Sequence, residues 1–176
     1  MIGLEGKRLT TDRLSVRLLE AGDRQALAAL LSDAEVTRPA GFLPAKDEEE
    51  FQAFYEALTR YNAAMAVLRA QTLIGYCHVN PYRTALPGLE GKKCVGLGFV
   101  IRRPFQRRGY GTEMLQAVTG YLLGRVDACF ADCFAENQAS KGLIERCGYR
   151  FVEEYSMLFR ALGEEKRCLS FIKQNG

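Results

Sequence analysis

Hydrophobic and polar residues alternate along the chain with periods that distinguish strands from helices. The segment RLSVRLLE (13–20) alternates apolar and polar positions and predicts a strand, whereas AGDRQALAALLSD (21–33) repeats leucines at helical spacing. A second helix is predicted over KDEEEFQAFYEALTRYN (46–62), where Asp47 and Glu50 have the spacing of a capping box. The first third of the chain is therefore predicted to form one strand and two helices.

Three strand patterns follow in close succession. They are AAMAVLRA (63–70), TLIGYCHVNPY (72–82) and CVGLGFVI (94–101). A tight turn is expected near Gln71, between the first two, and a loop containing Pro and Gly joins the last two. Such short connections predict an antiparallel meander.

The second half of the chain mixes strands with helices. The predicted order is helix GTEMLQAVTGYLLG (111–124), strand VDACFADCFA (126–135), helix NQASKGLIERCGY (137–149), and strands RFVEEYSMLFR (150–160) and KRCLSFIK (166–173). The strand–helix–strand unit from 93 to 134 requires a parallel pair. The whole pattern predicts an α/β fold whose mixed, mostly antiparallel seven-stranded sheet has a central parallel strand pair and about four helices. Ligands of such sheets favour the carboxyl ends of the parallel strands.

Composition narrows the class of protein. The 176 residues are enough for one domain, which we expect to span 1–176. No apolar run reaches the length of a membrane span or a signal peptide, so we expect a cytosolic protein with no membrane partner. Six cysteines lie mostly in apolar strand patterns without metal-site spacing and are expected to be free, buried thiols. The net charge of +3 is too small to require a nucleic-acid partner.

A basic, glycine-containing turn lies between the third meander strand and the next helix. This segment, FQRRGYGTEML (105–115), places Gly109 and Gly111 beside two adjacent arginines. Glycines allow close approach to the backbone, and N–H groups 107–112 would be the unpaired donors of a helix start. Such a turn predicts a pyrophosphate site, although a plain helix start with solvated arginines has the same composition. It is neither a Walker A loop nor a dinucleotide fingerprint.

The chain resembles the GNAT superfamily of acyl-CoA-dependent N-acetyltransferases. Its segment QRRGYG (106–111) matches the Gln/Arg-x-x-Gly-x-Gly/Ala loop of that family. Two further segments, TDRLSVRLLEAGDRQALAALLSDAEV (11–36) and ENQASKGLIERCGYRFVEEY (136–155), are similar to the RimJ/RimL branch, which acetylates ribosomal-protein N-termini. The resemblance implies a GNAT-like domain that uses acetyl-CoA as cosubstrate, needs no metal, and transfers acetyl to an amine.

The resemblance also implies which residues bind the cosubstrate. In the family, the strand before the loop splays from the next strand and its backbone binds the pantetheine arm in the gap, a bend that Gly96 and Gly98 would favour. Asn137 matches an asparagine that contacts this arm, but it is equally a plausible helix N-cap. The complete expected set is Phe99, Val100, Ile101, Gln106, Arg107, Arg108, Gly109, Tyr110, Gly111, Thr112 and Asn137.

The catalytic groups common in the family are partly missing. Gly96 lies where relatives often carry a glutamate base, and Ile144 lies where they often carry a tyrosine acid. Ser140 matches the serine of the RimJ/RimL pattern and is the candidate catalytic residue, as proton donor or carbonyl partner. The alternative is an ordinary serine in the first turn of a helix.

Other polar residues are less informative. His78 is the one histidine and lies in a strand pattern, where a structural role is expected; Glu136 and Tyr155 cannot be placed from the sequence. The acidic run 46–50 would be either a substrate entrance or a solvated helix start. The chain is therefore interpreted as an N-acetyltransferase acting on a primary amine, either a protein or peptide N-terminus or a small molecule. A catalytically silent acyl-CoA-binding regulatory module is the alternative, and a homodimer stays open.

Overall fold

The computed structural model describes residues 3–61 and 63–175. Its strands are β1 (Arg8–Thr10), β2 (Ser15–Leu18), β3 (Ala63–Arg69), β4 (Thr72–Tyr82), β5 (Cys94–Ile101), β6 (Ala128–Phe134), β7 (Arg150–Phe159) and β8 (Glu164–Gln174). Its helices are α1 (Arg24–Leu31), α2 (Ala34–Thr37), α3 (Glu48–Tyr61), α4 (Tyr110–Leu123) and α5 (Gln138–Arg146). The last position of the helix predicted over 46–62 lies outside the described residues.

The strands form one sheet in the order β1-β2-β3-β4-β5-β6-β8-β7. Among the described residues, β5 and β6 are the one parallel pair, and every other neighbouring pair is antiparallel. The predicted fold class, with its mixed sheet and central parallel pair, is confirmed. The predicted counts of seven strands and four helices are each one too low, because β1 and α2 have only three and four residues. Segments that short do not repeat their hydrophobic period, so no pattern can be detected.

Local sequence signals fix several element ends as predicted. The Asp47 carboxylate accepts a hydrogen bond from the Glu50 N–H (2.9 Å) at the start of α3. Glu50 in turn accepts from the N–H of Lys46 (2.9 Å), one residue earlier than in a capping box. Gly148 follows α5 with a left-handed φ of 80°, the conformation that commonly ends a helix.

Helices cover both faces of the sheet. One apolar cluster packs α4 and Ile144 of α5 against the sheet, and the other packs α1 and α3 against its opposite face. Side chains of β6 alternate between faces, with Cys129 and Ala131 in the α4 cluster and Phe130 in a third cluster on the other side. The nearly continuous apolar pattern of this strand therefore reflects a strand covered on both faces, as predicted. All six cysteines are free and buried, again as predicted.

No helix within residues 3–61 and 63–175 combines the length and the apolar character needed to cross a membrane.

Candidate functional site

The central parallel strands separate halfway along their length. Backbone pairing between β5 and β6 runs from Cys94 to Leu97 on one strand and from Ala128 to Ala131 on the other. Residues 98–101 continue to pair with β4, while β6 continues along β8. A cavity of about 1030 Å³ is lined by both strands, by the loop after β5 and by the start of α5. The gap lies at the carboxyl ends of the parallel strands, where the topology predicts a ligand.

The loop after β5 has the backbone geometry of an anion site. Gly109, the N-cap of α4, has a φ of 81°, and Arg107 has a φ of 58° although it is not glycine. The first N–H groups of a helix have no carbonyl partner within the helix, and the helix dipole adds partial positive charge there. The Gln106 amide donates to the Ile101 carbonyl (2.8 Å), which ties the loop to the strand end. This end of the cavity therefore suits an anionic group.

Most residues predicted to bind the cosubstrate lie along this cavity. Those in its lining are Phe99, Val100, Ile101, Gln106, Arg107, Gly109, Gly111, Thr112 and Asn137. Arg108 and Tyr110 are not in the lining: the Arg108 side chain is exposed, and the Tyr110 side chain is buried in the core. A contact from Tyr110 stays a prediction for its backbone N–H alone.

Gly111 has a packing reason for its missing side chain. A Cβ at this position would lie 2.5 Å from Cδ1 of Leu143 on α5, closer than any real contact. Gly111 therefore leaves room for the Leu143 side chain, where α5 packs beside α4. The second glycine of the loop pattern serves helix packing, whereas Gly109 serves the left-handed turn.

The segment before β2 braces the same loop from outside. The Arg13 guanidinium donates to the Arg108 carbonyl (2.9 Å) and to the Glu113 carboxylate of α4 (2.7 Å). Thr11 also donates to Glu113 (2.5 Å). Burial alone would raise the pKa of Glu113, but these hydrogen bonds hold it below its ordinary value. The loop is thus connected to the first helical turn of α4 through Arg13.

Asn137 and Ser140 begin α5 at the cavity wall. The Asn137 side chain accepts a hydrogen bond from the Ser140 N–H (3.1 Å), so Asn137 is an N-cap. This bond occupies the side-chain oxygen and leaves the side-chain NH₂ group, which has no hydrogen bond among the described residues. Both side chains line the cavity and are half-buried. The cap and a contact with a ligand are therefore compatible.

The two positions where family catalytic residues are missing are filled differently. A Cβ on Gly96 would lie 3.0 Å from the Tyr82 ring and 3.3 Å from the Asn80 oxygen, so neighbouring β4 side chains take the space of a longer residue. Ile144 of α5 is fully buried in the core cluster between this helix and the sheet. Neither position supplies a titratable group to the cavity.

Asp132 is a functional candidate that the sequence interpretation missed. Its carboxylate lines the cavity and accepts hydrogen bonds from Ser170 of β8 (2.7 Å) and Tyr155 of β7 (2.9 Å). The Tyr82 hydroxyl makes a longer contact at 3.4 Å. Burial raises the pKa of Asp132 above its ordinary value, and the hydrogen bonds partly oppose that shift. The one local signal was an acidic residue inside a strand whose other residues are apolar.

Aromatic rings surround Asp132 along the same face of the sheet. Tyr82 stacks on Phe130 with ring centroids 4.1 Å apart, and Phe134 meets Phe159 edge to face at 4.8 Å. All four rings line the cavity. This part of the cavity is an apolar pocket that contains one carboxylate.

His78, expected to be structural, also lines the cavity. Its ring stacks on Tyr76 (5.9 Å) and lies where a Cβ on Gly98 would clash at 2.3 Å. Its Nδ1 atom is buried without a hydrogen-bond partner, and burial lowers the pKa of the imidazole, which keeps it neutral at pH 7. His78 is therefore a second titratable group of the site.

The remaining polar candidates lie outside the cavity. Glu136 is exposed and pairs with Lys166 (3.0 Å). No residue of the acidic run 46–50 lines the cavity, and Glu48 pairs with Arg24, as expected of a solvated helix start. Within the described ranges 3–61 and 63–175, no group of three or more His, Cys, Asp or Glu side chains has the arrangement of a metal site.

Comparison with known proteins gives one family. Residues 13–150 match the family model described as an acetyltransferase (GNAT) domain. The uncharacterized N-acetyltransferase YnaD of Bacillus subtilis (strain 168) is 29% identical over 149 residues, which cover 81% of this chain and 82% of the relative.

Solved structures share the fold at low sequence identity. A putative ribosomal-protein-serine acetyltransferase from Vibrio cholerae superposes with a TM-score of 0.75 at 23% identity, covering 96% of this chain and 98% of that chain. Spermidine N-acetyltransferase from Vibrio cholerae, in complex with CoA and spermine, superposes with a TM-score of 0.76 at 16% identity, covering 93% and 96%. One of these relatives is named for a protein substrate and the other for a polyamine, so the shared fold does not define the acceptor.

Proposed function

The chain belongs to the acetyltransferase (GNAT) family and is an acyl-CoA-dependent acetyltransferase with acetyl-CoA as its cosubstrate, and we propose that its acceptor is a primary α-amine. The acceptor would be the N-terminus of a protein or peptide, or a small-molecule amine of similar pKa. We also propose that the enzyme belongs to the RimJ/RimL-type branch, because the segments 11–36 and 136–155 are similar to that branch. The observation that carries the acceptor proposal is the filled space at Gly96, where Tyr82 and Asn80 replace a strand glutamate.

The proposed cosubstrate site follows the cavity from the loop to the strand gap. The N–H groups at the start of α4, with Arg107 and Gly109, would hold the pyrophosphate. The unpaired backbone of residues 98–101 on the β6 side would bind the pantetheine arm. The Ile101 carbonyl already accepts from Gln106, so the groups offered by Phe99 and Val100 carry more of that binding. Asn137 would add its free side-chain NH₂ group.

The proposed chemistry is direct attack of the neutral amine on the thioester carbonyl. Ser140 is proposed to donate a proton toward the leaving thiolate or to hydrogen-bond the carbonyl oxygen, because its half-buried hydroxyl lines the cavity at the start of α5. The Ser140 hydroxyl lies in the N-terminal turn of α5, where the helix dipole favours developing negative charge.

A site without the strand glutamate favours amines that lose a proton easily. A model α-amine has a pKa of about 7.7–8.0 and is roughly a tenth neutral at pH 7, whereas a lysine near 10.4 is neutral about 0.04% of the time. Deprotonating the lysine costs about 3.5 kcal/mol more at 1.36 kcal/mol per pKa unit. An α-amine can therefore react with a weaker base than a lysine requires.

The proposal also covers the extent of the domain and the location of the enzyme. We propose that the whole chain, 1–176, forms this one N-acetyltransferase domain. A cytoplasmic enzyme is also proposed, because all six cysteines are free and buried, as is usual for proteins of a reducing compartment.

Matched peptides test the acceptor. One peptide has a blocked α-amine and a free lysine, the other has a free α-amine and a blocked lysine, and thiol release from acetyl-CoA is followed at several pH values. We expect kcat/KM at pH 7 to be at least tenfold higher for the free α-amine. If the peptide with the free lysine is the better substrate, the link between the missing glutamate and the acceptor is wrong. Omitting the peptide measures background hydrolysis.

A further inference from the structure

We propose that Asp132 receives the ammonium group of the acceptor and takes its proton before the amine attacks the thioester. This inference rests on the proposed function, because it assigns a role within the acetyl transfer. It adds a group that neither the loop pattern nor the family positions 96 and 144 supply.

The strand register places Asp132 where the two parallel strands part. Ala131 is the last residue of β6 that pairs with β5, and its partner Leu97 is followed by Gly98. Asp132 is therefore the first β6 residue beside the gap, opposite a strand residue without a side chain. A thioester lying in this gap would be next to Asp132 in the sheet.

The Asp132 side chain is half-buried and has no cation as a partner. Its hydrogen-bond donors are the neutral hydroxyls of Ser170, Tyr155 and Tyr82. No ion pair with Lys, Arg or His is formed by Asp132 within the described part of the chain. A partly desolvated charge without a counter-charge is destabilising, and an ammonium ion would compensate for it. Two carboxylate oxygens have about four acceptor positions, so three donors leave room for a fourth.

The titratable groups around Asp132 are acidic or neutral. They come from β4, β6, β7 and β8 and are Tyr82, Cys133, Glu153, Tyr155 and Cys168. None of them carries a positive charge. These surroundings favour a proton on Asp132 relative to an exposed carboxylate, as a general base requires when it acts near neutral pH.

The walls of the cavity offer few partners for cationic groups of the acceptor. Among the described residues of the lining, Glu35 and Asp132 are the acidic ones. The rings near Asp132, Phe130, Phe134 and Phe159, offer apolar surface beside the amine. A polyamine with three or more spaced ammonium groups would have more cations than the lining has carboxylates. We therefore expect a monoamine whose neighbouring atoms are apolar.

The proposed step balances in protons and electrons. The ammonium R–NH₃⁺ transfers one proton to the Asp132 carboxylate, which becomes a carboxylic acid, and the amine lone pair forms the C–N bond. The C–S bond breaks and the thiolate takes a proton, for which Ser140 is the proposed donor. After attack the nitrogen loses one of its two remaining protons and keeps the other as the amide N–H. Of this lost proton and the proton on Asp132, one restores the Ser140 hydroxyl and the other passes to solvent. The sum is R–NH₃⁺ and acetyl-CoA giving the amide, CoA–SH and one H⁺.

Asp132→Asn tests the role with little change in shape. Asp127→Asn is the matched control, because Asp127 precedes the same strand but does not line the cavity. We would measure thiol release with the α-amine peptide across pH 6–9, and calorimetric binding of phenethylamine to the CoA-saturated enzyme. We expect Asp132→Asn to lower kcat/KM by about 100-fold and to remove the acidic limb of its pH profile. Phenethylamine binding should weaken at least tenfold, whereas CoA affinity stays within twofold.

A second variant keeps the carboxylate and changes its environment. Tyr155→Phe removes a hydrogen bond that lowers the pKa of Asp132, so the acidic limb should move to higher pH. This variant also tests the proposal if Asp132→Asn does not fold. A purely structural carboxylate would leave the position of the limb unchanged.

The outcomes separate this inference from the acceptor proposal. If the wild type prefers the lysine peptide, the acceptor proposal fails. The Asp132 variants are then assayed with the lysine peptide as the substrate. If no amine is acetylated, phenethylamine binding alone decides whether Asp132 receives the ammonium group. The inference is overturned if Asp132→Asn keeps both the acidic limb and amine binding, or if His78→Gln removes the limb instead. Spermidine that binds more tightly than phenethylamine would overturn the monoamine expectation.

Discussion

Replacing Gly109 with valine tests whether the left-handed turn before α4 holds the phosphate groups of the cosubstrate. Gly109 has a φ of 81°, and a Cβ there would lie 3.2 Å from Nη2 of Arg13. The valine therefore meets two obstacles, a backbone conformation that L-residues avoid and a guanidinium that is already bonded to Arg108 and Glu113. Either the turn or the brace must shift.

The cost follows from the backbone conformation. A left-handed conformation costs an L-residue roughly 1–2 kcal/mol, and a β-branched side chain lies at the upper end or beyond. For a domain of this size, about 2 kcal/mol corresponds to a fall in Tm of roughly 4–8 °C. If the turn relaxes to avoid the strain, the N–H groups of the loop lose their common direction. We expect CoA affinity to fall at least tenfold, about 1.4 kcal/mol.

Titration calorimetry gives the loss of CoA affinity, and thermal unfolding gives the fall in Tm separately. Gly120→Ala is the control, because Gly120 lies on the exposed side of the same helix and a Cβ there meets no atom within 4 Å. This control should stabilise the protein by up to about 1 kcal/mol and leave CoA affinity unchanged. Unaltered CoA affinity in a folded Gly109→Val protein would refute the phosphate role of the turn.

Three further predictions follow from the site. Arg107→Ala should weaken CoA binding by about 1 kcal/mol, and Arg108→Ala by less, because only Arg107 lines the cavity; calorimetry compares the two. Ser140→Ala should lower kcat with CoA affinity nearly unchanged, and equal turnover would leave Ser140 as a plain helix residue. Burial raises the pKa of folded Asp132, so between the unfolded and folded pKa values the folded state binds more protons, and the free energy of unfolding falls as pH rises. Urea denaturation from about pH 4 to 7 should show a smaller fall in Asp132→Asn.

Local sequence patterns predicted the parts of the fold that depend on neighbouring residues. Strand and helix periods, the Asp47 cap and the left-handed Gly148 all act over a few positions, and each is present in the structure. The short β1 and α2 escaped because each is shorter than two periods of its pattern. The loop pattern 106–111 likewise predicted the position of the cavity.

The chemistry of the cavity depended on residues that the chain brings together from afar. Asp132 is 38 residues from Ser170 and 50 from Tyr82, so no local pattern shows that three hydroxyls surround it. The space at Gly96 is likewise filled from β4, a strand that precedes it by a long loop. His78 lies opposite Gly98 on the neighbouring strand, a contact that its own strand pattern does not show.

The separation of β5 from β6 also affects how the sheet behaves mechanically. Among the described residues, backbone strand pairing joins the block of β1 to β5 with the block of β6 to β8 at only four residue pairs. A ligand arm bound in the gap would act as a bridge between these blocks, so occupancy should change their relative rigidity as well as fill the site. Amide hydrogen exchange would report this directly, as slower exchange at residues 98–101 when CoA is bound. Acetyl-CoA would then be a reactant and, for as long as it stays bound, also a removable piece of the sheet.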